Sequence, residues 1–141
     1  MGENRDRYHA LFMFGRTVIF LLSLILAYFL FRFANETLGV KSALFSVFLL
    51  SFSPNFLAHS YIVGTDVGVS LAILVALYAL WKYLDNPSFK NLLICAGVFG
   101  VAQLTKFSAL ILIPAFPLLM TLDYLLRSLI KEEIKNRLLC I

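Results

Sequence analysis

The sequence predicts an all-α, multi-pass transmembrane helical bundle of about five spans, followed by a C-terminal amphipathic helix at the membrane interface. Hydrophobic residues make up 61% of the 141 residues and charged residues only 14%, against roughly 45–50% and about 25% in a soluble domain. This number of polar residues is too small to cover a soluble core. The apolar side chains must therefore face lipid or one another. The basic residues separate apolar runs instead of forming one patch, which argues against a nucleic-acid-binding surface.

The first predicted span covers residues 17–33. The apolar run at residues 17–31 contains eleven large apolar residues, which favour insertion into a membrane by roughly 3–7 kcal/mol. Arg5, Arg7 and Arg16 precede the run as they would in a signal peptide, but Arg32 ends it and no small-residue cleavage site follows. We therefore expect this run to stay in the membrane as a span.

The second predicted span covers residues 43–63, which rise about 31 Å as a helix and match a hydrocarbon core of roughly 30 Å. Pro54 is expected to kink this helix rather than end it, because the apolar stretch before the proline is too short to cross. Gly64 permits a tight turn, and a third span covers residues 66–84. Trp81 lies near its far end, as in an aromatic belt.

The fourth and fifth predicted spans cover residues 91–104 and 107–126. A single helix over both would be about 54 Å long and would bury Lys106 inside the bilayer. The sequence therefore predicts a hairpin that turns at Thr105 and Lys106, and two prolines predict an irregular fifth helix.

Beyond residue 126 the pattern changes to that of a helix lying along the membrane surface. Apolar residues recur there every four positions, with charged residues opposite them: Leu126, Ile130, Ile134 and Leu138. The predicted single transmembrane domain covers residues 1–141. Since the chain stops at Ile141 without a cap or a polar segment, we expect it to be a fragment of a larger protein.

Counting basic residues predicts the orientation of the five spans. One side would hold four of them, Arg5, Arg7, Arg16 and Lys106, and the other side eight, Arg32, Lys41, Lys82, Lys90, Arg127, Lys131, Lys135 and Arg137. By the positive-inside rule the larger group is cytoplasmic. The N-terminus and Lys106 are then extracytoplasmic and the C-terminus is cytoplasmic. The glycosylation acceptor pattern at Asn35, Glu36 and Thr37 falls on the cytoplasmic side and is expected to be unmodified.

Four polar residues at the outer ends of the helices are the candidate site: His59, Asp66, Lys106 and Arg16. Asp66 could simply be an acid stabilised at a helix N-terminus, or it could contact an acceptor, a metal or a cationic partner. Lys106 could reach the lipid head groups or bind a phosphate group. Arg16 could be an interface anchor.

The sequence predicts no cofactor and no metal site. One His and one Asp do not define a metal site. Cys95 and Cys140 fit neither a disulfide framework nor a metal-ligand spacing, so both are expected to be free thiols.

The stretch from Ser53 to Asp66, the apolar helix that ends in Trp81, Lys82 and Tyr83, and the pair Thr105 and Lys106 together resemble the C-type superfamily of membrane glycosyltransferases. The sequence is similar to the group of protein O-mannosyltransferases and lipid A aminoarabinose transferases over roughly residues 8–126.

This resemblance implies an integral-membrane enzyme that transfers a sugar from a polyprenyl-phosphate carrier to a protein or lipid acceptor outside the cytoplasm, in the cell membrane or the endoplasmic reticulum. It implies a supporting role for Asp66 with His59 as an orienting group, and carrier-phosphate binding by Lys106 and Arg16. The acidic residue of the first outer loop, the family's candidate general base, has no counterpart here. We therefore expect this chain to be inactive alone, and a divalent metal in the complete enzyme stays open.

Two other functions are compatible with the sequence. A transporter fragment would line a polar path with Asp66 and Lys106, but the second and third runs contain no acid in mid-membrane. A non-catalytic assembly subunit needs fewer assumptions, although Gly97 and Gly100 do not have the spacing of a strong helix-pairing motif.

Overall fold

The computed structural model describes residues 3–62 and 64–139, without the side chains of residues 3–8, 10, 61 and 131–139. The described residues form an all-helical bundle without strands, which confirms the predicted fold class. Its elements are α1 (Glu3–Leu38), α2 (Val40–Ser51), α3 (Pro54–Tyr61), α4 (Asp66–Asp85), α5 (Phe89–Thr105), a 3-10 turn (Phe107–Ile111) and α6 (Leu112–Leu139).

Helices α1 and α4 lie side by side and run in the same direction. Near the start of α4, Val67 belongs to one buried cluster with Ile19 and Leu26 of α1. Nearer its end, the Tyr78 ring lies 5.6 Å from the ring of Phe33. At the last turn, Lys82 Nζ lies 3.5 Å from a carboxylate oxygen of Glu36. The bundle therefore has two ends, which we call the Asp66 rim and the Glu36 rim.

The second predicted span is a pair of helices instead of one kinked helix. Helices α2 and α3 are bent by 67° at residues 52 and 53. Ser53 Oγ accepts a hydrogen bond from Phe56 N, and Pro54 occupies the first turn of α3. Proline suits that position because its missing N–H has no acceptor there. Pro54 thus starts a new helix rather than kinking an old one.

A glycine lies in each of the two turns that flank this pair. Gly39, between α1 and α2, has φ of 87°, a left-handed conformation that favours glycine. A Cβ added at Gly64, before α4, would lie 3.9 Å from the carbonyl oxygen of Ile62, an ordinary van der Waals contact. The pair leaves α1 at the Glu36 rim and reaches α4 at the Asp66 rim.

The chain reverses after α5, at the predicted position. Helix α5 ends at Thr105, Lys106 is extended, and the 3-10 turn leads into α6. Phe116 of α6 packs against Phe99 of α5 with ring centroids 4.7 Å apart. Farther along α6, Arg127 donates a hydrogen bond to the carbonyl oxygen of Leu84 at 3.0 Å, which brings α6 to the Glu36 rim.

Small residues allow α4 and α5 to approach closely. Ala76 of α4 and Ala102 of α5 have no exposed surface and pack with Leu112 in one cluster. A neighbouring cluster contains Ala79 and Cys95, and Cys95 is a free, buried thiol as expected. Cys140 lies outside the described residues.

The outer surface is strongly apolar. Leu11 and Phe14 on α1 are 70% and 71% exposed, and Leu104 and Phe107 beside Lys106 are 87% and 89% exposed. Water would penalise such a surface, whereas lipid would not. Among the described residues, three helical segments are long and apolar enough to cross a membrane, namely Leu11–Leu38, Asp66–Asp85 and Phe107–Ile130, and the bent pair would make a fourth.

Two further differences from the predicted segments concern length. Helix α5 has 17 residues and is longer than the predicted segment at residues 91–104, but at about 25 Å it is still shorter than the candidate spans. Helix α6 continues without a break to Leu139, so the expected surface helix is the C-terminal part of α6 and not a separate element. The side chains that would form the apolar stripe of this surface helix beyond Ile130 are not among those that the structure describes.

Candidate functional site

Three of the four predicted site residues meet at the Asp66 rim. Lys106 Nζ donates a hydrogen bond to Asp66 Oδ1 at 2.7 Å, and His59 Nδ1 lies 3.3 Å from Asp66 Oδ2. The three side chains are 44–48% exposed. Both oxygens of one carboxylate thus have a nitrogen neighbour, and the cluster remains reachable from outside the bundle.

Asp66 is placed by the start of α4. It is the first residue of that helix, where a negative charge is stabilised by the N-terminal end of the helix dipole. Ser70, one turn later, donates a hydrogen bond from its hydroxyl to the Asp66 carbonyl oxygen at 2.8 Å. Asp66 is therefore both an acid at a helix N-terminus and a member of a charged cluster.

Lys106 is placed by the junction of α5 and the 3-10 turn. Gln103 Nε2 donates a hydrogen bond to the Ala109 carbonyl oxygen at 3.0 Å, and Thr105 Oγ1 donates one to the Ala102 carbonyl oxygen at 2.6 Å. These bonds hold the residues on both sides of Lys106, so its side chain leaves a fixed backbone toward Asp66.

His59 is placed by the break between α2 and α3. It lies in the last turn of α3, and the bend at residues 52 and 53 turns that helix toward the start of α4. An unbroken helix through Pro54 would have had a different direction. The break is therefore part of what brings His59 to Asp66.

Two pockets flank the charged cluster. A pocket of about 360 Å³ lies on the His59 side of Asp66 between α3 and α4, and its lining is rich in polar side chains. A second pocket, of about 420 Å³, is lined by Lys106 and residues on both sides of it, including Thr105 and Phe107. The Asp66–Lys106 pair thus has a pocket on each side.

Arg16, the fourth predicted residue, lies on α1 one turn before Ile19, which packs in the cluster of Val67. This position is at the Asp66 rim. Its guanidinium carbon lies 4.7 Å from the centre of the Phe12 ring on the same helix, a cation–π contact. Arg16 thus lies toward the same rim as the three clustered residues, and its role stays a hypothesis.

The cluster offers little to a metal ion. His59 and Asp66 supply two of the usual ligand types, and the part of the chain that the structure describes contains no group of three His, Cys, Asp or Glu side chains suited to a metal. Lys106 also occupies one carboxylate oxygen with a positive charge, which repels a cation.

A charged network at the Glu36 rim was not predicted. Arg32 Nη2 lies 2.6 Å from Glu36 Oε1, and Lys82 approaches Glu36 Oε2 and lies 5.0 Å from the centre of the Tyr78 ring. The four-residue spacing of Arg32 and Glu36 on a helix is readable in the sequence. The partnership with Lys82 depends on the packing of α1 on α4 and has no sequence signal.

Comparison with known proteins identifies the family. The dolichyl-phosphate-mannose-protein mannosyltransferase family matches residues 9–141, a range that includes all four candidate site residues. The chain belongs to this family. No curated protein and no solved structure matches it.

Membership in the dolichyl-phosphate-mannose-protein mannosyltransferase family supports glycosyl transfer in a membrane as the class of activity. It agrees with the resemblance drawn from Asp66 and the Thr105–Lys106 pair. The apolar helices that could cross a bilayer fit an integral-membrane member of that family.

Proposed function

We propose that this chain forms the carrier-binding part of a membrane glycosyltransferase that moves a sugar from a polyprenyl-phosphate lipid to a protein or lipid acceptor on the extracytoplasmic side. The observation that carries the proposal is the contact of Lys106 with Asp66 at a half-exposed rim. The family description names a dolichyl-phosphate-linked mannose donor and a protein acceptor, which supports the class of both substrates.

Lys106 suits the phosphate of the carrier. A lysine ammonium has three N–H donors, and Asp66 Oδ1 takes one of them. The other two remain for phosphate oxygens, and hydrogen bonds between charged partners are about twice as strong as neutral ones. As the bond between sugar and phosphate breaks, this ammonium would stabilise the charge left on the phosphate.

Asp66 suits a supporting role better than the role of general base. Both of its oxygens already lie within 3.3 Å of a nitrogen, so it orients Lys106 and His59 rather than waiting for an acceptor proton. Arg16, at the same rim, is proposed as a second cation for the carrier phosphate. We propose that Asp66 does not act as the general base and that the chain alone does not catalyse transfer.

The test compares two lysines in the full chain in lipid nanodiscs. Lys106 and Lys82 have equal side-chain exposure, 44%, and each pairs with one carboxylate at opposite rims. We expect Lys106→Gln to weaken binding of a polyprenyl phosphate roughly tenfold or more and Lys82→Gln to leave it unchanged. Equal affinities for the wild-type chain and Lys106→Gln would remove Lys106 from the carrier site.

A further inference from the structure

The pocket between α3 and α4 has the composition of a site for a hydroxyl-rich ligand. Its volume, about 360 Å³, is at the small end of the range for ligand sites. Five polar side chains line it together with two apolar ones: Ser53, Asn55, His59, Asp66 and Ser70, with Phe56 and Val67. Apolar cavities elsewhere in the bundle, such as the groove that includes Gly68 and Gly97, offer no comparable set of polar groups.

We propose that this pocket, named here the α3–α4 pocket, holds the sugar ring of the donor while Lys106 holds its phosphate. The inference rests on the proposed function and assigns the part of the donor that each side of Asp66 contacts. It depends on the position of Asp66, whose side chain both lines the pocket and contacts Lys106.

The pocket provides both donors and acceptors, as a sugar requires. Sugar hydroxyls act in both ways, and each buried one needs a partner. The Asn55 amide makes no hydrogen bond to any residue that the structure describes, so its N–H groups and its oxygen are available. Ser70 uses its hydroxyl proton on the Asp66 carbonyl oxygen, which leaves its oxygen as an acceptor.

The aromatic ring supports the same ligand class. Phe56 lies in the first turn of α3 and is partly buried, and its backbone N–H is satisfied by Ser53 Oγ. Its ring and the Val67 side chain form the apolar part of a pocket whose other lining residues are polar. A sugar ring has an apolar face of C–H groups and edges that carry hydroxyl groups. The apolar part of the pocket suits that face, and the surrounding polar side chains suit the hydroxyl groups.

The covalent structure of the donor fits the two positions. In a sugar phosphate a single oxygen joins the sugar carbon to phosphorus, so the two subsites must be adjacent. Asp66 lines the α3–α4 pocket, and its Oδ1 atom is 2.7 Å from Lys106 Nζ. A phosphate bound to Lys106 on the Asp66 side would have its sugar carbon close enough to enter the α3–α4 pocket, which is the arrangement we propose.

The experiment measures two ligands on the full chain in nanodiscs by native mass spectrometry. They are a polyprenyl phosphate and the same lipid with mannose on its phosphate. We expect Asn55→Ala and Ser70→Ala each to weaken binding of the mannose-bearing lipid roughly fivefold, the effect of one hydrogen bond, and to leave the bare lipid unaffected. Asn55 and Ser70 are exposed, so neither change removes a packed side chain.

Ser60→Ala is the matched control. Ser60 is also on the short helix α3, and its hydroxyl donates to a carbonyl oxygen of its own helix, that of Leu57, as the hydroxyl of Ser70 does in α4. It does not line the α3–α4 pocket. We expect its replacement to change the affinity for neither lipid.

Three results would overturn the inference. They are equal affinity of the wild-type chain for both lipids, no effect of Asn55→Ala and Ser70→Ala, or the same loss for both lipids. The proposed function would survive each of them, provided that Lys106→Gln still weakens binding of the bare lipid. If the wild-type chain binds neither lipid, the proposed function fails, and the inference fails with it.

Discussion

Lys106 Nζ is 2.7 Å from Asp66 Oδ1, although the two residues are forty positions apart in the chain. The contact joins the junction after α5 to the first residue of α4. Its half-exposed position makes it a weak contributor to stability, so its placement at a pocketed rim favours a role in binding.

Exchanging the two charges separates these roles. Asp66→Lys and Lys106→Asp each place two like charges at the junction, and we expect each to lower the melting temperature and to increase proteolysis there. The double exchange restores an ion pair, so it should recover part of both properties, although a lysine at position 66 loses the favourable interaction of Asp66 with the helix N-terminus. It should not recover binding of the polyprenyl phosphate, because the cation would then extend from α4.

Thermal melting and lipid binding of the three variants provide the measurement. Recovery of binding together with stability in the double exchange would mean that the pair matters only as a structural contact. A structural contact alone would also leave binding of the bare carrier lipid intact in Lys106→Gln.

The orientation of the bundle predicts which positions an impermeant thiol reagent reaches in intact cells. With Cys140 replaced by serine and the buried Cys95 kept, single cysteines at Asn55 and Phe107 report on the Asp66 rim, and one at Asn86 reports on the Glu36 rim. We expect the first two to react in intact cells and the third to react only after permeabilisation. Labelling of Asn55 and Phe107 from opposite faces would divide the candidate site between two compartments.

The acceptor pattern at Asn35, Glu36 and Thr37 makes an independent prediction. These residues belong to α1, where Thr37 donates a hydrogen bond to the Phe33 carbonyl oxygen at 2.8 Å, and they lie at the rim that the count of basic residues predicts to be cytoplasmic. We expect no glycan at Asn35 when the protein is expressed in a glycosylating cell. A glycosidase-sensitive mass shift that disappears in Thr37→Ala would reverse the orientation.

Much of the fold could be predicted from the sequence because lipid imposes a simple rule. Apolar runs must be helical there, so residues 66–84 coincide closely with α4, and the conflict between Lys106 and the bilayer located the turn after α5. Pro54 was the main error. A proline can kink a helix or start one. Here the Ser53 side chain caps the N-terminus of α3, so Pro54 lies at the start of a new helix.

The candidate site was predictable in part. Asp66, His59 and Lys106 could be chosen as polar residues at helix ends, but their meeting depends on the 67° bend, which no periodicity encodes. Asn55 and Ser70 were not singled out, since an asparagine after proline and a serine in an apolar helix have ordinary local explanations. Their grouping requires α3 to lie against α4.

The contact of α4 with α5 supports the last prediction, which concerns stability. Ala76 and Ala102 have no exposed surface, so a larger side chain at either position would force the two helices apart. We expect Ala76→Leu or Ala102→Leu to lower the free energy of unfolding by about 1–3 kcal/mol, the cost of overpacking a core. Unfolding in detergent mixtures, followed by the helical signal in circular dichroism, measures this change.

Gly97 and Gly100 of α5 are the matched controls, because a Cβ added at either would meet nothing within 4 Å. Gly97→Ala and Gly100→Ala add volume to the same helix where space exists, and alanine is favoured over glycine in a helix by about 1 kcal/mol. These variants should therefore be as stable as the wild-type chain or more so. If they were destabilised as much as Ala76→Leu, the tight contact would run along the glycines, and the packing of α4 on α5 described here would be wrong.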